Sequence, residues 1–176
     1  MKKLLLLSAI LCGLSITSFA QISPVPRPAK WNFGFEAGLP LGHLHEAYSS
    51  VFGAYAKYEY PVFKSTFITA STGYRRYFFT DELKQYTKSV VGEERSGVGS
   101  IPIMIGVKHY FGDGLFAEGQ IGKSFYTRKG SDSSFDYDLG VGYTFRNGIE
   151  ISARYQGFNQ SNVNTNIAAI RLGFRF

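Results

Sequence analysis

Cysteine is almost absent from this sequence. Of 176 residues one is Cys, at position 12, and it lies inside an apolar run near the start of the chain. That run, Leu4 to Leu14, follows Met1-Lys2-Lys3 and relaxes into Ser15-Ile16-Thr17-Ser18-Phe19-Ala20. A short basic stretch, an apolar core of about eleven residues and small residues at Ser18 and Ala20 make a secretory signal. Cleavage is expected after Ala20, leaving Gln21 first. The run is short for an uncleaved helix, which needs roughly 20 residues to span a bilayer.

Cys12 could in principle carry the acyl chains of a lipoprotein. It lies within the apolar run rather than at its end, and Leu11 stands before it, where lipoprotein signals resemble one another in having Gly, Ala or Ser. The reading is therefore a cysteine discarded with the signal. The remaining 156 residues then hold no thiol, which excludes disulfides and cysteine chemistry.

Long hydrophobic runs are missing too. Beyond the signal no apolar stretch approaches 18 residues, so no transmembrane helix is expected. Strong charge of one sign is also lacking. Removing Lys2 and Lys3 takes the formal charge from +6 to +4, and the basic residues are scattered singly. Nucleic-acid binding needs a basic stripe or patch, so that class is set aside. Anionic lipid headgroups are the expected partner for the surplus.

What the chain does contain is period-two alternation. Residues 21–30 hold Pro24, Pro26 and Pro28 and read as an extended periplasmic leader. From residue 31 to 176 eight segments then alternate apolar with polar or glycine, the mark of strands with two different faces. Their apolar faces run through Trp31 to Leu39, Phe52 to Tyr60, Ile68 to Tyr74 and Ile101 to Val107. They continue through Ala117 to Phe125, Phe135 to Phe145, Ile149 to Tyr155 and Ala168 to Phe176. Tight turns are read at Pro61–Lys64, Gly112-Asp113-Gly114 and Arg146-Asn147-Gly148, and longer connections at 40–49, 79–97, 127–134 and 159–163. Short turns at one end and longer loops at the other are what an outer-membrane barrel shows, with the loops extracellular. The expectation is an all-β, eight-stranded, antiparallel, up-and-down transmembrane β-barrel. Only helices and closed barrels satisfy their backbone in hydrocarbon.

A soluble barrel has the same period turned inside out. Three features choose the membrane form. The polar face is rich in glycine, which suits a crowded lumen. By parity Glu36, Glu59, Glu118, Asp136, Asp138 and Glu150 point inward with Lys57, Arg75, Lys108, Arg154, Arg171 and Arg175, six against six, which suggests an ion-pair network. Basic residues at mid-membrane on the lipid face would cost roughly 2–4 kcal/mol each. Finally, Trp31, Tyr58, Tyr60, Tyr77, Phe78, Phe79, Phe111, Phe125, Phe135, Phe145, Phe174 and Phe176 cluster toward strand ends, as interfacial girdles do.

The apolar stripe Ile170, Leu172, Phe174 and C-terminal Phe176 resembles the signal read by the barrel assembly machinery. With the stretch Ile101-Pro102-Ile103-Met104-Ile105-Gly106-Val107-Lys108-His109-Tyr110-Phe111, the chain over about 30–176 resembles the small OmpA/OmpX-like barrels, especially the porin-family barrels of Bacteroidetes. The resemblance implies an integral protein of a Gram-negative outer membrane, in contact with its lipids and lipopolysaccharide, and a monomer. It says little about activity, since folds host many tasks.

Chemistry is sparse. His43 and His45 flank Leu44 beside Glu46, an incomplete ligand set for a metal. Lipid A deacylases of this fold place a His and a nearby Ser at the outer-leaflet end, whereas His109 belongs to the lipid face beside a periplasmic turn. Asp81, Glu82, Glu93 and Glu94 form an acidic loop without an assigned base. Arg76 and Lys123 break the apolar face near its extracellular end, where they could snorkel or meet lipopolysaccharide phosphates. The expectation is a non-enzymatic barrel with a side-chain-filled lumen and no cofactor. The alternatives are a narrow porin-like channel and, behind it, a lipid-modifying enzyme.

Overall fold

The computed structural model describes residues 28–42, 44–91, 96–127, 133–160 and 163–176. The expected signal at 1–20, Cys12 within it, and the first seven residues of the leader lie outside the described residues, as do His43, Glu93 and Glu94. Eight strands form: β1 (Lys30–Leu41), β2 (Tyr48–Phe63), β3 (Thr66–Phe79), β4 (Gly97–Tyr110), β5 (Leu115–Tyr126), β6 (Ser134–Thr144), β7 (Ile149–Gln160) and β8 (Val163–Arg175). Each pairs antiparallel with the next, and β8 pairs back onto β1, so the sheet closes on itself in sequence order.

Closure follows from the two chain ends meeting. The Trp31 N–H donates to the Phe176 carbonyl at 3.0 Å, and the Phe176 N–H returns the bond to Trp31 at 3.0 Å. Following paired residues around the wall leads from Trp31 through Tyr58, Ala70, Ile105, Ile121, Tyr137, Gly157 and Asn166 to Leu41, ten residues further along β1. A stagger of that size over eight strands tilts them by roughly 40° and leaves a bore that side chains fill.

The turns explain themselves locally. Gly148 has φ 91°, a conformation few L side chains adopt, and a Cβ there would lie 2.6 Å from the Arg175 carbonyl. At the first turn β2 runs on to Phe63, so the connection shrinks to residues 64–65, and Pro61 sits inside the strand end beside an irregularity in register. Proline is tolerated there because strand ends and bulges do not need its missing donor.

The other end departs further from the alternation pattern. Segment 79–97 is not simply a loop: it holds helix α2 (Asp81–Val91), while a single turn, α1 (Leu44–Ala47), follows β1. The Thr80 carbonyl accepts from the Lys84 N–H at 3.0 Å, and Asp81 and Glu82 occupy the first turn, where acidic side chains meet the helix dipole. Segment 159–163 is not a long loop either, because β7 continues to Gln160 and β8 starts at Val163. Three of the four connections at this loop end are longer than the turns. No helix among the described residues is long and apolar enough to cross a membrane, which says nothing about strands.

The wall has two faces of opposite character. Outside, Phe35, Leu39, Ile105, Leu139, Val141 and Ile170 are exposed, Phe35 by 72%. Along β5 the exposed apolar positions extend from Leu115 to Phe125. At a tilt of roughly 40° that stretch is about 26 Å high, the height of a barrel's apolar band. Inside, Lys57, Glu59, Lys108, Glu118 and Asp138 are buried, at 0–3% exposure. A water-soluble fold does the reverse.

Candidate functional site: the filled lumen and the loop-end rim

Among the described residues the lumen is where charge is concentrated away from water. Alternation along β1 to β8 delivers all twelve of the inward acids and bases, and closure brings them together. They form a file of alternating sign, closed into a ring near one end where Lys57 also meets Glu59 at 3.3 Å. Asp136 lies 3.7 Å from Arg75, Arg75 binds Glu36, and Glu36 accepts from Arg171 at 2.8 Å. Arg171 reaches Asp138 at 3.0 Å, and Asp138 accepts from Arg154 at 2.7 Å. Arg154 also donates to Glu118 at 2.7 Å, which accepts from Lys57 at 3.0 Å. Lys57 turns to Glu150 at 3.2 Å, Glu150 binds Lys108, Lys108 donates to Glu59 at 2.8 Å, and Glu59 ends the file on Arg175 at 2.6 Å.

Few of these links join neighbouring strands. Lys57 on β2 meets Glu118 on β5 and Glu150 on β7, so its ammonium stands in the middle of the bore. Gln156 bridges Glu36 and Gln120 bonds Glu118, both at 3.2 Å. Each interior carboxylate thereby meets at least two cations or donors. That arrangement offsets the several kcal/mol that removing an ion from water costs, and it makes loss of any one partner expensive.

Apolar groups close the file at both ends. Toward the loops Val51, Tyr77, Phe158, Ile167 and Ala169 pack as a buried cluster with Tyr48 against it. Tyr77 of β3 meets Phe158 of β7 edge-on, with centroids 5.9 Å apart, so the contact spans the bore. Phe79 joins it through Tyr48 at 5.4 Å. This corrects the girdle reading for two residues: Tyr77 and Phe79 are 3% and 7% exposed and face inward, because they carry the parity of Arg75. Toward the turns Phe67 meets Tyr110 edge-on and Tyr110 packs at a tilt on Phe116, with Lys108 4.1 Å from the Phe116 centroid and Arg175 5.0 Å from that of Phe67. Cations held over ring faces keep a favourable partner where water is excluded.

Glycine makes the crowding possible. The Tyr55 ring lies between β1 and β8, where a Cβ on Gly34 would approach it to 2.9 Å and one on Gly173 would meet its hydroxyl at 2.3 Å. The Tyr55 hydroxyl donates to Asn32 at 3.1 Å.

The remaining candidates lie elsewhere. Ile170, Leu172, Phe174 and Phe176 all face out, and the Phe176 ring stacks near Phe33 at 5.8 Å in a belt with Trp31 and Tyr58. His109 faces out at the turn end, with its Nδ1 2.8 Å from the Thr66 hydroxyl and its ring against Phe111. His45 and Glu46 are exposed on α1. No group of three or more His, Cys, Asp or Glu positioned for a metal occurs among the described residues. Asp81 and Glu82 begin α2, where a hydrogen bond from Lys84 at 2.9 Å and its charge hold the Asp81 carboxyl below the usual range. Arg76 and Lys123 face out at the loop end.

The closed wall, apolar outside and filled inside, defines the chain as a small eight-stranded barrel of the transmembrane kind. Solved structures share this fold. Ail, an outer membrane protein of Yersinia pestis solved in a phospholipid bilayer nanodisc, aligns with a TM-score of 0.57 and 16% identity over 84% of this chain and 98% of that one. The N-terminal β-barrel domain of Pseudomonas aeruginosa OprF aligns with a TM-score of 0.54 and 14% identity over 84% and 97%. A de novo designed transmembrane β-barrel aligns at 0.53 and 12% identity over 85% and 98%. At these identities the likeness is one of fold. No family model matches the chain, and no curated protein does.

Proposed function

We propose that the chain is a non-enzymatic integral protein of a Gram-negative outer membrane, sealed to solutes, with its loop end available for contacts outside the cell. The observation that carries this reading is the alternating file of twelve charges crossing the bore between two apolar caps. A conducting pore needs a continuous water path. Here the middle of the bore is occupied by Lys57 and Lys108, at 1% and 0% exposure, each bound to more than one carboxylate. That occupancy speaks against the narrow porin-like channel. Against a lipid-modifying enzyme, His109 lies at the turn end beside Thr66 and Phe111, away from the leaflet that the loops face.

The outer wall supports the location, since only a hydrocarbon surrounding stabilises a closed ring of exposed Phe, Ile, Leu and Val. The outward stripe Ile170, Leu172, Phe174 and Phe176 is the feature we propose the barrel assembly machinery reads. A kinship with Bacteroidetes porin-family barrels belongs to the same proposal and rests on the stretch Ile101 to Phe111.

Refolded protein in a planar bilayer should give no steady current with small ions. A stable unitary conductance would overturn the sealed reading. Location is tested separately: the chain should resist carbonate extraction from the outer-membrane fraction and migrate differently before and after boiling. A soluble periplasmic protein with unchanged mobility would overturn it.

A further inference from the structure

Among the described residues one seam of the wall, β3–β4, loses its pairing in mid-strand. Thr72 pairs with Ile103 and Arg75 with Ser100, but Gly73 and Tyr74 between them have no partner in β4. The other seven seams are continuous except at their ends. The register is the same on both sides of the break, so no residue is inserted there. A donor is missing instead. Even-numbered residues of β4 turn their backbone groups toward β3: the Tyr110 N–H donates to the Ser65 carbonyl at 2.8 Å, whereas the Gly99 carbonyl turns the other way and accepts from Thr127 at 2.9 Å. Pro102 therefore faces Gly73, and proline has no N–H to offer its carbonyl. Sheets confine proline to edges, strand starts and bulges, and a closed barrel has no edge. In hydrocarbon a backbone carbonyl left without its ladder donor is costly.

Side chains do little to close this seam from within. The inward charge of β3, Arg75, goes to Glu36 of β1 and Asp136 of β6, and that of β4, Lys108, goes to Glu59 of β2 and Glu150 of β7. Hydrogen bonds tie the seam at its ends, Thr66 to His109 at 2.8 Å and Arg76 to Ser96 at 2.8 Å. Over the break itself lies one outward residue, Tyr74. Its ring leans diagonally across the seam, and a Cβ on Gly99 of β4 would stand 2.3 Å from its hydroxyl. Glycine at 99 is what lets the ring lie flat on the neighbouring strand. Tyr137 of β6 covers Gly157 of β7 in the same way and donates to Asn166 of β8 at 3.2 Å, but it does so where the pairing is complete. Tyr74 straps a broken seam, and Tyr137 an intact one.

We propose that the β3–β4 seam is where this wall parts first, opening sideways around Gly73 and Pro102, with Tyr74 as the strap that holds it shut. Local opening follows the path that breaks the fewest stabilising contacts, and this stretch begins one backbone hydrogen bond short. The opening leaves the charged file in place, because Arg75 and Lys108 are anchored on strands other than each other's. It therefore faces the surroundings of the wall rather than a path along the bore, and it is compatible with a barrel sealed to solutes. Pro102 sets the weakness and Tyr74 limits it, so substitutions at the two positions act in opposite directions.

The test is residue-resolved amide exchange of the refolded chain in phosphatidylcholine nanodiscs, expressed as protection relative to an unstructured chain. The amides of Gly73, Arg75 and Ser100 point across the β3–β4 seam, and those of Gly122 and Asp136 across the unbroken β5–β6 seam. The first group should be about tenfold less protected than the second, the effect of one net hydrogen bond. Pro102→Ala restores the donor and should raise protection of the first group toward that of the second. Tyr74→Ala should lower it further and leave Gly122 and Asp136 unchanged, while Tyr137→Ala should disturb its own complete seam by a smaller factor. Heat-dependent gel mobility checks that each variant has closed into a barrel. Equal protection at the two seams in the wild type, or a Pro102→Ala barrel with no gain, would overturn the weak seam. An equal loss for Tyr74→Ala and Tyr137→Ala at their own seams would overturn the strap. The same comparison in detergent micelles reads the seam even for a chain that does not enter nanodiscs, so failure of the membrane reading is distinguishable from failure of this one.

Discussion

The outer wall and the lumen are built from alternate residues of the same strands, yet they obey opposite rules. On the outside Ile103, Ile105 and Val107 stand exposed beside one another, and nothing about any one of them depends on a particular partner. On the inside Met104 and Lys108 belong to the same strand, but Lys108 has meaning only with Glu59 and Glu150 from two other strands. The wall is a set of interchangeable apolar groups, whereas the lumen is a set of specific pairs. Tolerance to substitution should follow that division.

The largest effect is expected inside. Lys57→Met leaves Glu118 and Glu150 each with one fewer cation in the middle of the bore. Breaking a buried pair costs about 3–5 kcal/mol, so the urea midpoint of the refolded barrel should fall sharply. A midpoint close to wild type would mean that water enters the file and solvates it.

A smaller, graded effect is expected outside. Ile105→Arg places a charge half-way up the wall, and Phe125→Arg places one at the loop-end rim. The first should destabilise the barrel in lipid by about 2–4 kcal/mol and the second by no more than about 1 kcal/mol. Equal costs at the two heights would break the comparison, because a wall facing water has no depth.

The smallest effect lies outside both regions, on α2. Asp81 is fully exposed, with its carboxyl held low by Lys84. A depressed carboxyl contributes stability that is present above its ordinary range and disappears as the pH falls through the lowered value. The protection of α2 amides, measured as exchange relative to an unstructured chain at the same pH, should therefore be constant near neutral pH and fall only in acid below the ordinary Asp range. Lys84→Met should move that onset upward in pH. An onset unchanged by the substitution would detach the effect from this pair.

Much of this is legible in the sequence alone. Parity assigned Arg75 inward and Arg76 outward, and Lys108 inward and His109 outward, because strand geometry makes direction a strictly local property. Parity applied carefully would also have turned Tyr77 and Phe79 inward with Arg75; counting aromatics near strand ends without regard to face put them in the girdle instead. Helix α2 had a signal too, in Thr80-Asp81-Glu82 followed by Leu83, Tyr86 and Val90 at helical spacing. Loop length alone concealed it.

Other features were beyond the reach of alternation. The chain by itself determined which residues face each way and that the acids and bases balance, since both depend on period and composition. Only closure decided which of them meet. Glu150 joins Lys57 and Lys108 rather than an arginine, and Arg175 goes to Glu59, because a ten-residue stagger brings positions from β2, β4, β7 and β8 to one level. The same stagger brings Tyr77 to Phe158 across the bore. Stagger is a property of the whole ring, and no strand carries it alone.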